Sequence, residues 1–153
     1  MDHASIEDAY EPFVAALRRG GFKAPADGWP AELVAAHVAR NNDLVSEVAE
    51  QLVIGVRPSY DNRSAVDESE LQALADEAGG LEGLATAVEA SARRLALAFS
   101  ALDEASREHL VACLIVDSGR IVRDEPMPVR SLVEGNASYH LDMHLKQLNA
   151  LSR

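Results

Sequence analysis

Apolar positions recur along this chain at helical spacing. Ile6, Tyr10, Phe13, Val14 and Leu17 fall on one face of a helix expected from about Ser5 to Arg19. Ser5 reads as its N-cap, Asp8 suits the positive end of the helix dipole, and Gly20-Gly21 ends it. A second stripe, Leu33, Val34, His37, Val38, Asn41, Leu44, Val45, Val48 and Leu52, predicts a helix from Pro30 to about Ile54. Pro30 is expected at the first helical position, where a missing N–H costs nothing, and Gly55 and Pro58 stop the run. Arg57 to Arg63 reads as a polar, turn-rich loop. Leu71 and Leu74 mark a short helix from about Glu68 to Ala78. After Gly79-Gly80, the stripe Leu81, Leu84, Val88, Ala92, Leu95, Phe99 and Leu102 predicts a long helix over Leu81–Leu102.

The pattern then changes period. Leu110 to Val116 is rich in β-formers, Asp117-Ser118-Gly119 is a turn signal, and Arg120-Ile121-Val122-Arg123 alternates, which predicts a β-hairpin. Pro126 and Pro128 exclude a helix directly after it. Val133, Ala137, His140, Leu141, His144, Leu145, Leu148 and Leu151 predict a last helix over about Val129 to Leu151. The expectation is an all-α fold. A four-helix bundle would carry a short extra helix, with a small hairpin appended before the last helix, because each apolar stripe needs a partner.

Composition narrows the function classes. The chain has 153 residues, 48% of them hydrophobic, which predicts a single domain spanning 1–153 with a real core. Its 14 Lys+Arg against 25 Asp+Glu leave a net charge of −11, which argues against binding nucleic acid or an anionic membrane surface. Its longest apolar run, Leu110–Val116, is far short of the ~20 residues of a membrane span. The N-terminal residues lack the basic start and apolar stretch of a signal peptide, and the one cysteine allows no internal disulfide. The expected setting is cytoplasmic.

The candidate chemistry lies in the histidines. His37 falls on the inner stripe of the second helix. His140 and His144, at i,i+4 on the last helix, stand one above the other with roots roughly 5–6 Å apart. A third imidazole from a facing helix would complete a three-ligand metal site with a position left open, the arrangement of catalytic zinc. Each histidine alone reads more simply as a hydrogen-bonded core residue. Three without partners would be costly to bury, and a shared metal removes that cost. Asn41, one turn after His37, and Asn136, one turn before His140, read either as second contacts around the site or substrate, or as solvent-exposed ends of the seam. Tyr60-Asp61-Asn62 reads as an Asx-type turn or a loop over the pocket mouth. Trp29 reads as a hydrophobic anchor for the second helix, and Cys113 as a packed thiol. His3 and His109 are expected to be incidental.

Three stretches resemble the DinB/YfiT-like superfamily, and within it the mycothiol-dependent maleylpyruvate isomerase type of domain. They are Gly28-Trp29-Pro30 with His37 eight residues after the Trp, Pro58-Ser59-Tyr60-Asp61-Asn62, and Gly135-Asn136-Ala137-Ser138-Tyr139-His140-Leu141-Asp142-Met143-His144. The resemblance implies a four-helix bundle and a divalent metal, zinc or else nickel, held by His37, His140 and His144. It also implies a low-molecular-weight thiol such as mycothiol or bacillithiol, used in transfer or isomerisation. Some isomerase-type members carry Glu where this chain has His140, so the site expected here is more neutral.

The leading expectation is therefore a metal-dependent thiol S-transferase or isomerase. The alternatives are a metal-dependent hydrolase, and a non-catalytic bundle that binds a partner or small ligand. The partners expected are a small-molecule substrate and at most a second copy in a homodimer. Substrate choice is expected to sit in the Tyr60–Arg63 loop and the hairpin near Asp117–Met127.

Overall fold

Pro12 divides the first expected helix in two. Its ring nitrogen has no hydrogen to give to Asp8, so the computed structural model, which describes residues Met1–Arg153, shows α1 over His3–Ala9 and α2 over Glu11–Arg19. The helix also starts earlier than expected, because the N-cap is Asp2, whose carboxylate accepts from the Ser5 amide at 2.8 Å. α3 spans Ala31–Val53, with Pro30 as the extended residue just before it and Gly55 at φ +75° just beyond. α5 (Glu68–Ala78) and α6 (Leu81–Ser100) lie close to their expected positions. Asp67 caps α5, and Gly79 ends it in the left-handed conformation. Gly83 of α6 passes so near the end of α5 that a Cβ there would stand 1.9 Å from the Ala78 carbonyl oxygen.

The all-α expectation holds in part. The protein is mostly helical but contains a four-stranded sheet. β1 (Ser59–Asp61), expected as loop, pairs parallel with β2 (Leu110–Asp117) through Ser59↔Ala112, Tyr60↔Cys113 and Asp61↔Leu114. β3 (Arg120–Asp124) completes the expected hairpin, and β4 (Met127–Pro128) pairs antiparallel with the first residues of β2. The sheet is not an appendage: Val111, Cys113 and Tyr60 join a core cluster of 37 buried residues. Two short helices, α4 (Arg63–Val66) and α7 (Glu104–Arg107), fill the connections. No helix is long and apolar enough to cross a membrane.

The last helix is continuous but not uniform. α8 (Val129–Gly135) passes into a π turn over Asn136–His140, and then into α9 (Leu141–Ala150). Contacts between the runs fix the relative directions. Met1 meets Glu134, Tyr10 meets Asn136 and Phe22 bridges Ser152, so α1 and α2 run parallel to this helix. α3 runs against it, since His37 meets His140 and Asn41 meets Asn136. α6 runs with α3, because Asn42 meets Ser91 and Glu50 meets Arg94. Phe13, Leu17, Val34, Val38, Val45, Leu84, Leu95, Phe99 and Leu148 lose nearly all contact with water between these four runs. That burial drives the packing.

Candidate metal centre

α3 and the last helix cross where the three inward histidines lie. His37 is 4% exposed and His144 6%, while His140 is half-buried, so the cluster is closed on the side of α3 and open beside His140. Its ring centroids are 4.5, 4.6 and 5.0 Å apart. One ligating atom from each ring falls within 4.8 Å of the other two. The Nε2 of His140 stands 2.9 Å from that of His37 and 3.2 Å from that of His144. Two nitrogens bound at ~2.1 Å to one tetrahedral cation would stand roughly 3.4 Å apart, close to these separations.

Proton positions decide what the cluster is. His37 Nδ1 lies 2.5 Å from the Ala65 carbonyl oxygen of α4, and His144 Nδ1 lies 2.8 Å from Gln147 Oε1. The Ala65 carbonyl only accepts, and Gln147 turns its Oε1 to the ring, so in this arrangement each Nδ1 carries the hydrogen and each Nε2 presents a bare lone pair. The two lone pairs point at His140 Nε2, which can hold one hydrogen and satisfy one of them. The remaining pair of nitrogens would face each other about 3 Å apart with nothing between. An added proton is a poor remedy. Burial, and next the neighbouring His144, lower the His37 pKa to about 4 and the His140 pKa to about 2. His144 is lowered as well, chiefly by burial. At neutral pH the cluster is three uncharged imidazoles whose lone pairs converge. Metal-binding histidines use the other ring N–H to bond a carbonyl or carboxylate, as His37 and His144 do here. The donor set therefore fits a divalent cation.

Other segments surround the cluster. The Trp29 ring lies 5.2 Å from that of His37, and its indole N–H donates to Glu68 Oε1 at 3.1 Å, so the residue forms a wall of the site as well as an anchor for α3. Asp117, at the end of β2, is the carboxylate whose field reaches both His37 and His144.

Of the other expected site residues, none is bonded to the imidazoles. Asn62 is 7% exposed and spends its side chain on the backbone of β2. Its amide donates to the Val116 carbonyl at 3.0 Å, and its Oδ1 accepts from the Val116 N–H at 2.7 Å. Asn41 and Asn136 are buried rather than exposed ends of the seam, and they bond each other at 2.6 Å. The Tyr60 hydroxyl is also buried and donates to Asn41 Oδ1. Asn136 Nδ2 donates to Asn42 Oδ1 at 2.8 Å and to the Tyr10 hydroxyl at 3.2 Å. Tyr10 in turn donates to Asn42 at 2.7 Å. Asn42 passes the chain on to Ser91, which donates to the Val88 carbonyl.

Sequence reasoning passed over Ala65, Gln147, Asn42 and Tyr10 as polar partners. Gln147 could have been found, since it lies three residues after His144 on the same helix. The Ala65 carbonyl could not, because it is a backbone group brought in by α4. No family model, curated protein or solved structure matches the chain.

Proposed function

We infer that this protein is a divalent-metal enzyme, a transferase or isomerase that works with a low-molecular-weight thiol of the mycothiol kind. His37, His140 and His144 hold the cation in this reading, zinc in first place and nickel in second. One observation carries it: three Nε2 atoms converge, and two of them have their ring hydrogens committed elsewhere. The four long helical runs and the paired histidines support the finer reading of a DinB-like four-helix bundle with an inserted sheet.

A divalent cation held there would lower the pKa of a bound thiol or water and polarise a carbonyl. The chain's own groups set up that chemistry. Ala65 and Gln147 keep the hydrogens of His37 and His144 on Nδ1, which fixes both rings with their Nε2 atoms turned inward. Burial keeps all three rings uncharged, so they bind without first losing a proton. Half-buried His140 leaves one side of the cluster for a small-molecule substrate, and Trp29 shields the side of His37 from water. The same reading places the protein in the cytoplasm, away from nucleic acid and membrane, as a monomer or homodimer.

The test is elemental analysis of protein purified without chelator or nickel resin. About one zinc or nickel per chain is expected, as for a three-ligand site with an open position. The metal should disappear in His140→Ala and in His144→Ala. Metal content indifferent to both substitutions removes the site. Trp29, the only tryptophan, gives a second readout, because its fluorescence should change on titration of the metal-free protein with nickel. Calorimetric titration of the zinc-loaded protein with mycothiol and with bacillithiol tests the thiol. No heat from either leaves the metal site standing and removes the thiol chemistry.

A further inference from the structure

α3 and the last helix are joined by two polar rungs one helical turn apart. Asn41 meets Asn136 at 2.6 Å, and His37 meets His140 at 2.9 Å. Both strides are four residues, from 37 to 41 and from 136 to 140, and the helices are antiparallel. The two residues of the last helix also bound its π turn, Asn136 opening it and His140 closing it. A π turn holds one residue more than the α-helical turn it replaces, and one residue is worth about 100° of helix rotation. Relaxation to α-helix would therefore swing every side chain beyond the turn by roughly that angle relative to α8.

The turn is held from both sides. Downstream, Leu141 and Leu148 are buried in the core. Upstream, every polar atom of the Asn136 side chain is engaged: Oδ1 by Asn41, and Nδ2 by Asn42 and the Tyr10 hydroxyl. Asn41 is held at its other end, because its Oδ1 accepts from the Tyr60 hydroxyl of β1.

We propose that the Asn41–Asn136 pair, oriented by Tyr60, is the register lock of the histidine site. By holding the π turn it keeps the ring of His140 facing that of His37. Asn136, Asn41 and Tyr60 are positioning residues that act through His140 without touching a bound ligand. This rests on the metal-site reading above. It assigns a task to three residues that the sequence places near the site and that the structure keeps off the imidazoles.

The experiment compares zinc affinity, by competition with a chromophoric chelator, and the visible spectrum of cobalt(II)-loaded protein in four chains. These are the unaltered protein, Asn136→Leu, Tyr60→Phe and Ser91→Ala. Asn136→Leu should weaken zinc by about 10–100-fold, the usual range for a residue that orients a ligand, and should alter the cobalt bands. Tyr60→Phe should do the same to a smaller extent. Ser91→Ala cuts the far end of the same hydrogen-bond chain, so it should lower the unfolding temperature yet leave affinity and spectrum alone. The proposal is overturned if Asn136→Leu matches the unaltered protein in both readouts. If Asn136→Leu does not fold, an unchanged cobalt spectrum and affinity in Tyr60→Phe overturn it instead. Equal losses in Ser91→Ala overturn it too, since they would mark a general effect of stability. An unaltered protein that binds neither zinc nor cobalt brings down the metal reading itself, a result distinct from all of these.

Discussion

The seam between α3 and the last helix holds two buried polar clusters that differ in one respect. Around Asn136, the hydrogens match the lone pairs. Tyr60 donates to Asn41, Asn41 to Asn136, Asn136 and Tyr10 to Asn42, Asn42 to Ser91, and Ser91 to a backbone carbonyl. One turn away, around His140, there are more lone pairs than hydrogens. A satisfied network stabilises and specifies the fold, and it has nothing to offer a ligand. A cluster of convergent lone pairs costs stability until something positive occupies it. The contrast separates structure from binding site within one interface.

The largest expected effect breaks the second cluster. His140→Ala should abolish stoichiometric zinc binding while leaving the metal-free protein nearly as stable as before, since half-buried His140 bonds nothing outside the cluster and its removal relieves the lone-pair contact. Chemical unfolding of the metal-free chain checks this, and a large loss of stability would show that the imidazole is structural. Asn42→Ala should do the reverse. It strips acceptors from Tyr10 and Asn136 and the donor to Ser91, so it should cost about 2–4 kcal/mol through stranded buried groups, read as a lower urea midpoint. Next in size is the stabilisation by metal. With free zinc at one hundred times its dissociation constant, the unaltered protein should gain about 2.7 kcal/mol by mass action, and His144→Ala should gain none. A thermal melt with and without zinc decides it.

How much of this was legible beforehand follows the range of the forces involved. The helices and hairpin strands show in the local pattern, because burying one face imposes a period that three or four neighbouring residues reveal. The three histidines show for the same reason: His140 and His144 share a face by spacing, and His37 sits on an apolar stripe. β1 does not show. Tyr60 becomes a strand residue only by pairing with Cys113, far along the chain, and its own neighbours Pro58 and Asp61 read as turn. The break at Pro12 was visible in principle, since proline interrupts the ladder wherever it stands inside a helical stripe. The π turn was not, because the apolar stripe from Val133 to Leu151 fits a regular helix. The extra residue is held by Asn41, Asn42 and Tyr10, which lie more than ninety residues upstream. Asn62 looked like a turn residue; it is the residue just before α4, and its side chain works as a strand partner for Val116, which only the packed sheet reveals.

The smallest expected effect sharpens the comparison by pH. In the metal-free fold, burial holds the His37 pKa at about 4 and the His140 pKa at about 2, against roughly 6.5 in an unfolded chain. The folded protein therefore binds fewer protons than the unfolded one throughout this interval, and its stability must rise with pH. Read downward, the contribution is fully present above about pH 6.5, drains away as pH falls towards 4 for His37, and continues to fall towards 2 for His140. The asparagine network has no group that titrates there, since burial raises the Tyr10 and Tyr60 hydroxyls still further from neutrality. Urea midpoints of metal-free protein at successively lower pH should thus fall more steeply in the unaltered chain than in His37→Ala. Ser91→Ala should run parallel to the unaltered chain, displaced by a constant amount. Identical slopes in the unaltered chain and His37→Ala would mean that the imidazoles already share a proton in the fold, and the case for lone pairs awaiting a cation would fail with it.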